Sequence, residues 1–227
     1  MKNPPFTFTS VKAISLALVF VAGALLAARG QGIIYSSPQS PINYSAGFLD
    51  SQTTIDINGD GVPDFAIIST SGFTASIAPL DNNSILAIPE PPPDLGYFVA
   101  GLNQGTIIGS SLDPLLNAEW YNNQTDQFAS AWIGAQAAFG QQLVVRGDFI
   151  GKPSAYVGFN LVLGGMNHYG WMQLANPLPI VNGQVIDWAY QSSPNTSIPA
   201  GAVPEPSSWA LFLLGCGALL RHGSRMS

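Results

Sequence analysis

The stretch Ala155-Tyr156-Val157-Gly158-Phe159-Asn160-Leu161-Val162-Leu163 is followed by Gly164-Gly165-Met166-Asn167 and then His168-Tyr169-Gly170-Trp171-Met172-Gln173-Leu174. The first run alternates well enough to form a strand with one apolar face. The glycines accept the positive φ that a tight reversal requires, so the aromatic second run returns as its partner. Gln184–Tyr190 supplies a third strand, ending in Asp187-Trp188-Ala189-Tyr190. Three consecutive aromatic, β-branched runs separated by turn residues predict an all-β domain.

Upstream, short strands are expected at Ile33–Tyr35, Ile42–Tyr44, Thr53–Ile57 and Phe65–Thr70. Phe73–Ala78 and Ser84–Ile88 pair around an Asp81-Asn82-Asn83 turn. Ile88 to Gly96 holds four prolines and reads as an extended loop or edge. Thr106–Ile108 reads as a strand and Pro114–Trp120 as a short helical turn, while Phe128–Phe139 fits helix and strand equally. Ile198–Val203 reads as a linker. There are no heptads and no repeats of 20–50 residues, and one domain suits the length.

Both chain ends stand apart. Lys2 and Lys12 precede an uncharged apolar stretch, Ala13 to Ala28, and small residues follow at Ala28, Gly30 and Gly32. A basic leader, apolar centre and small-residue exit describe a secretory signal peptide over residues 1–30. It implies export through the Sec machinery and leaves a body at 31–200. At the other end, Pro204-Glu205-Pro206 precedes the apolar run Trp209 to Leu220 and the basic residues Arg221, His222 and Arg225. That run is 12 residues long, against about 20 for an ordinary spanning helix. Pro89-Glu90-Pro91 repeats the tripeptide, but Pro92, Pro93 and Asp94 follow it, so that copy is a linker.

The tail at 203–227 resembles the PEP-CTERM sorting signal of Gram-negative bacteria. The resemblance implies recognition by an exosortase, transient inner-membrane anchoring, and delivery to the cell surface or an exopolysaccharide matrix. The order Val157-Gly158-Phe159, His168-Tyr169-Gly170-Trp171 and Trp188-Ala189-Tyr190 is similar to the C-terminal half of PEP-CTERM proteins over residues 145–206. This implies a secreted β-sandwich and no particular reaction. The expected fold is therefore a single antiparallel β-sandwich, jelly-roll or lectin-like, flanked by an N-terminal signal helix and a short C-terminal hydrophobic helix.

The whole chain carries 7 basic and 13 acidic residues, a net charge of −6. Residues 31–203 keep only Arg146 and Lys152 against twelve acids, a balance of −10. Nucleic acid is thereby an unsuitable partner, since phosphate neutralisation needs clustered Lys and Arg. An anionic membrane surface is unsuitable for the same reason, and divalent cations suit the acidic body better. The single cysteine, Cys216, lies in the C-terminal apolar run, so the body holds no disulfide, thiol nucleophile or zinc–thiolate site.

The strongest chemical motif is Asp56-Ile57-Asn58-Gly59-Asp60-Gly61-Val62-Pro63-Asp64. Oxygen ligands recur at relative positions 1, 3, 5 and 9, with glycine at 6 and the Val62 carbonyl at 7. Calcium takes six to eight hard oxygen ligands, and a tight acidic loop supplies most of them. The spacing resembles the calcium loops of integrin-type repeats and dockerins. It departs from the EF-hand because position 12 is Ile67. Asp56, Asn58, Asp60, Val62 and Asp64 are the candidate ligands for a structural Ca²⁺; the alternative is a metal-free Asx/Gly turn.

Other chemistries find little footing. His168 is the body's only histidine, and no Gly-x-Ser-x-Gly element accompanies it, so a hydrolase triad is not expected. Glu90 and Glu119 are the only body glutamates, and Glu90 sits in the proline-rich segment. The two carboxylates of a glycosidase are therefore not evident. The aromatics Tyr156, Phe159, Tyr169, Trp171, Trp188 and Tyr190 form either a core or, if three lie exposed in a row, a carbohydrate platform. Trp171 and Trp188 are the candidates for such a platform. No catalytic residue is expected. The anticipated role is structural or adhesive, with a carbohydrate-binding module as the alternative and a polysaccharide hydrolase a distant third.

Overall fold

The computed structural model describes residues 32–45, 51–70, 74–90, 96–122, 130–139, 142–175 and 182–204. The expected signal peptide, Glu205, Pro206, the apolar tail and both expected terminal helices lie outside the described residues. Residues Ile33–Val203 form one compact unit, against the expected body of 31–200.

The unit is all β. Its strands are β1 (Ile33–Ser36), β2 (Ile42–Ser45), β3 (Ser51–Ile55), β4 (Phe65–Thr70), β5 (Thr74–Pro79), β6 (Ser84–Pro89), β7 (Tyr97–Val99) and β8 (Ile107–Ile108). They continue as β9 (Glu119–Tyr121), β10 (Ala131–Phe139), β11 (Gln142–Arg146), β12 (Ser154–Leu163), β13 (Met166–Ala175), β14 (Asn182–Gln191) and β15 (Ile198–Pro199).

The β12–β13 hairpin is the long element of the fold, paired without interruption from Ser154↔Ala175 to Leu163↔Met166. Its reversal is two residues, Gly164 and Gly165, with φ of 58° and 79°. Two successive positive φ values give a turn whose twist matches that of the strands, and glycine adopts them without steric cost. The reversal expected over Gly164–Asn167 is thus shorter, and Met166 and Asn167 belong to the returning strand. β14 then pairs with β13 and is flanked along its free edge by β1 and β2 in turn.

Among the described residues, hydrogen bonding is continuous through thirteen strands, in the path β1-β14-β13-β12-β6-β7-β10-β5-β4-β3. β11 is added on β10, β2 on β14 and β9 on β6. Pairing is antiparallel apart from one parallel contact, Trp132↔Phe98, between β10 and β7. The thirteen strands form one curled sheet whose ends fold over a shared core, and β15 and β8 form a separate two-stranded sheet. Phe65 of β4 meets Phe159 of β12 at 5.4 Å between ring centres. The Trp188 indole N–H of β14 donates to the Ile57 carbonyl at 3.1 Å, beyond the end of β3.

Alternation along β12 and β13 sorts their side chains between two cores. Val157, Phe159, Leu161, Met172 and Leu174 face the inside of the curl, with Trp188 and Tyr190 of β14. Tyr169, Trp171 and Ala189 face outward, under Leu102, Ile108, Ile198 and Ala200. The cover is the two-stranded ribbon of β8 and β15. These strands are therefore buried on both faces, rather than on the one face that alternation predicts. Ile198–Val203, expected as a linker, contributes this lid.

Two further elements differ from expectation. The helical turn is a single 3₁₀ turn, Pro114–Leu116, capped by the Asp113 carboxylate, which accepts the Leu115 N–H at 2.9 Å. Trp120 instead lies in β9 and pairs with Leu86. The ambiguous Phe128–Phe139 segment is strand from Ala131 onward. Its five alanines favour helix locally, but pairing with β5, β7 and β11 overrides that weak preference.

Candidate functional site: the Asp56 to Asp64 corner

β3 and β4 pair from Ser51↔Ser69 to Ile55↔Phe65, and the acidic loop connects them. Its side chains organise its own backbone. The Asp56 carboxylate accepts the Gly59 N–H at 2.7 Å and the Gly61 N–H at 2.8 Å, one on each oxygen. The Asn58 side-chain Oδ1 accepts the Asp60 N–H at 2.9 Å, and its side-chain amide Nδ2 donates to Asp60 Oδ2 at 3.0 Å. Asp60 Oδ1 accepts the Val62 N–H at 2.8 Å. These bonds turn the chain sharply enough that Gly59 and Gly61 take φ of 77° and 88°.

Asp64 is placed differently. It is 8 % exposed, the only buried acid among the described residues. Its Oδ2 accepts the Ile57 N–H at 2.8 Å. Burial pushes its carboxyl above the ordinary carboxylate range; hydrogen bonds from the Ile57 and Asn58 N–H groups and from Asn83 oppose that rise, and the Asp56 charge adds to it.

Asn83, buried at the β5–β6 reversal, ties this corner to the hairpin. Its amide donates to the Asp64 carbonyl and to Asp64 Oδ1, each at 3.3 Å. Its own oxygen accepts the Val162 N–H of β12 at 2.9 Å. With the Trp188–Ile57 bond, the loop is fastened at two points to the β12–β14 block. Sequence reading gave Asn83 only a turn role, because its partners lie 19 and 79 residues away.

The five expected ligands therefore divide. Asp56, Asn58 and Asp60 are grouped on the outer side of the loop, Val62 is exposed beside them, and the Asp64 carboxylate turns inward as a strut. Among the described residues no three His, Cys, Asp or Glu side chains converge as a ready-made metal cluster.

The aromatic candidates are buried. Trp171 and Trp188 are 1 % and 6 % exposed, and they occupy opposite faces of the sheet. Their indole N–H groups donate to the carbonyls of Ala202 and Ile57. Neither ring can stack on a sugar, because each is enclosed by the cover its own face requires. Phe159, Tyr169 and Tyr190 are buried as well, so the platform reduces to half-exposed Tyr156.

Several other ionisable groups serve as ties. His168 is buried, and its Nδ1 lies 2.7 Å from the Gln191 carbonyl, which makes that nitrogen the donor. Arg146 meets Glu90 at 3.5 Å. The Glu90 N–H donates to the Gly96 carbonyl, so the described part of the internal Pro-Glu-Pro copy is held against the sheet. The Lys152 ammonium contacts Asp148 at 3.3 Å and donates to the Gly101 carbonyl at 2.6 Å. Glu119 is exposed. A pairing that sequence gave no sign of joins Tyr35 to Asp187, at 2.9 Å.

Compared with protein-family models, with curated proteins and with solved structures, the chain matches none. Among the described residues no helix is long and apolar enough to cross a membrane.

Proposed function

We propose that this is an exported structural or adhesive protein of the cell surface or exopolysaccharide matrix, sorted through Pro204, Glu205 and Pro206 by an exosortase-type enzyme. The observation that carries the structural reading is the use made of the polar side chains. Asn83, Trp188, Lys152 and His168 each bond a backbone group of another segment, and Asp64 closes its own loop onto the Ile57 N–H. A body built this way presents a rigid acidic surface, and the buried Trp171 and Trp188 weigh against the carbohydrate-stacking alternative.

Within this reading the Asp56–Asp64 corner takes a structural Ca²⁺. Asp56, Asn58 and Asp60 supply hard oxygens that each retain a second lone pair beyond the N–H bond they accept. The Val62 carbonyl completes the outer set, while Asp64 holds the loop from behind. The test is melting of the purified protein during Ca²⁺ titration. Millimolar Ca²⁺ should raise the melting temperature of the wild type and leave Asp60→Ala unmoved; an unmoved wild type would remove the metal from the account.

A further inference from the structure

We propose that Tyr35 and Asp187 form a proton-operated latch that fastens the N-terminal strand β1 to the edge of β14. β1 is four residues long and, among the described residues, pairs only with β14. Ile34 and Tyr35 remain 45 % and 38 % exposed, so apolar anchoring of the strand is confined to half-buried Ile33 and the Tyr35 ring beside Trp171. Beyond the Ser36↔Trp188 pair, β14 has no edge partner until Val185 pairs with Ile42 of β2. Asp187 sits in that gap, where the pairing with β13 also slips by one residue between Gln173 and Leu174. The slip is a β-bulge, which re-aims a side chain at a sheet edge.

The carboxylate is incompletely served. Oδ2 accepts the Tyr35 hydroxyl, whereas Oδ1 is sealed from solvent and has no hydrogen-bond partner. The groups facing it are Tyr35 from β1, Tyr156 from β12 and uncharged Gln173, its register partner on β13. No cation is among them; Lys152 is engaged with Asp148 and Gly101, and Arg146 with Glu90. An ionised carboxylate with a sealed, unpartnered oxygen is costly, and protonation removes that charge while Oδ2 still accepts from Tyr35. Burial accordingly raises the Asp187 carboxyl above its ordinary value, and the Tyr35 hydrogen bond only partly offsets this.

The sign follows from linkage. Release of β1 opens Asp187 to water and returns it to the ordinary 3.8. The latch is therefore tightest below that pH and weakens as pH rises through the raised value. The opening constant of β1 should grow by up to about tenfold per pH unit above 3.8, then level off once the closed form is ionised.

The experiment is hydrogen exchange of the full chain across this range, corrected for intrinsic exchange rates and read on Ile33–Ser36, with β13 amides as the internal control. The wild type should show opening of β1 that increases with pH while β13 stays protected. Asp187→Asn keeps an acceptor for Tyr35 without the charge and should flatten the profile. Tyr35→Phe should open β1 further at every pH and retain the slope. A pH-independent wild type, an equal slope in Asp187→Asn, or a parallel loss of protection in β13 would each overturn the latch.

Discussion

Replacing Asn83 by alanine tests whether the acidic corner is truly joined to the hairpin. The substitution removes the acceptor for the Val162 N–H, a 2.9 Å bond, and the two longer bonds to Asp64 at 3.3 Å. It strands the half-buried Val162 N–H and leaves the Asp64 carboxylate a partner short, at a site where Asn83 is 4 % exposed. An orphaned buried polar group costs about 1–3 kcal/mol. Taking one full penalty for Val162 and a smaller one for Asp64 gives a loss of about 3 kcal/mol. For a body of this size that corresponds to a fall in melting temperature of about 6–12 °C. Asn83→Asp is the informative companion: it keeps the acceptor for Val162 but sets a second carboxylate against Asp64, so its deficit should grow as pH rises. Calorimetric melting without added Ca²⁺ reads both. A loss under about 1 kcal/mol for Asn83→Ala would refute the reasoning, because it would mean that corner and hairpin are held without this bridge.

Two further outcomes follow from the same contacts. Trp171→Ala should lower stability by about 3–5 kcal/mol, as expected for emptying a fully enclosed ring site; an undiminished melting temperature with selective loss of polysaccharide binding would instead restore the ligand-stacking role. Asp64, raised above its ordinary 3.8, contributes stability that is complete below that value and lost as pH rises through the raised one. Asp64→Asn should therefore melt with a shallower pH dependence in metal-free buffer, and an unchanged slope would contradict the assigned burial.

Much of the strand inventory was legible because its signals are local. The Gly164-Gly165 reversal and its aromatic flanks mark β12 and β13 directly, and the Asp81–Asn83 turn marks β5 and β6. What could not be read is which faces are covered. Alternation along Ala155–Leu163 suggests an open outer face, yet the lid over Trp171 comes from Ile108, Ile198 and Ala200, distant in sequence. The same ignorance of the lid left Trp171 as a ligand candidate, and Trp188 stayed one because the enclosure of the inner face by the curl is equally non-local. At the acidic loop, residue spacing identified the turn and its oxygens. It could not separate Asp60, which bonds its own loop, from Asp64, whose inward role depends on Asn83 and on burial beside Ile57. β10 stayed ambiguous because alanine has no strand signature, and only its neighbours settle its conformation.

The central claim is delivery of this acidic β body to the cell surface or matrix through its C-terminal segment. The direct measurement is fractionation of cells expressing the full chain beside a chain lacking residues 203–227. The account predicts that the full chain reaches the surface or matrix fraction and that the shortened chain is not retained there. Identical distribution of the two forms would contradict it.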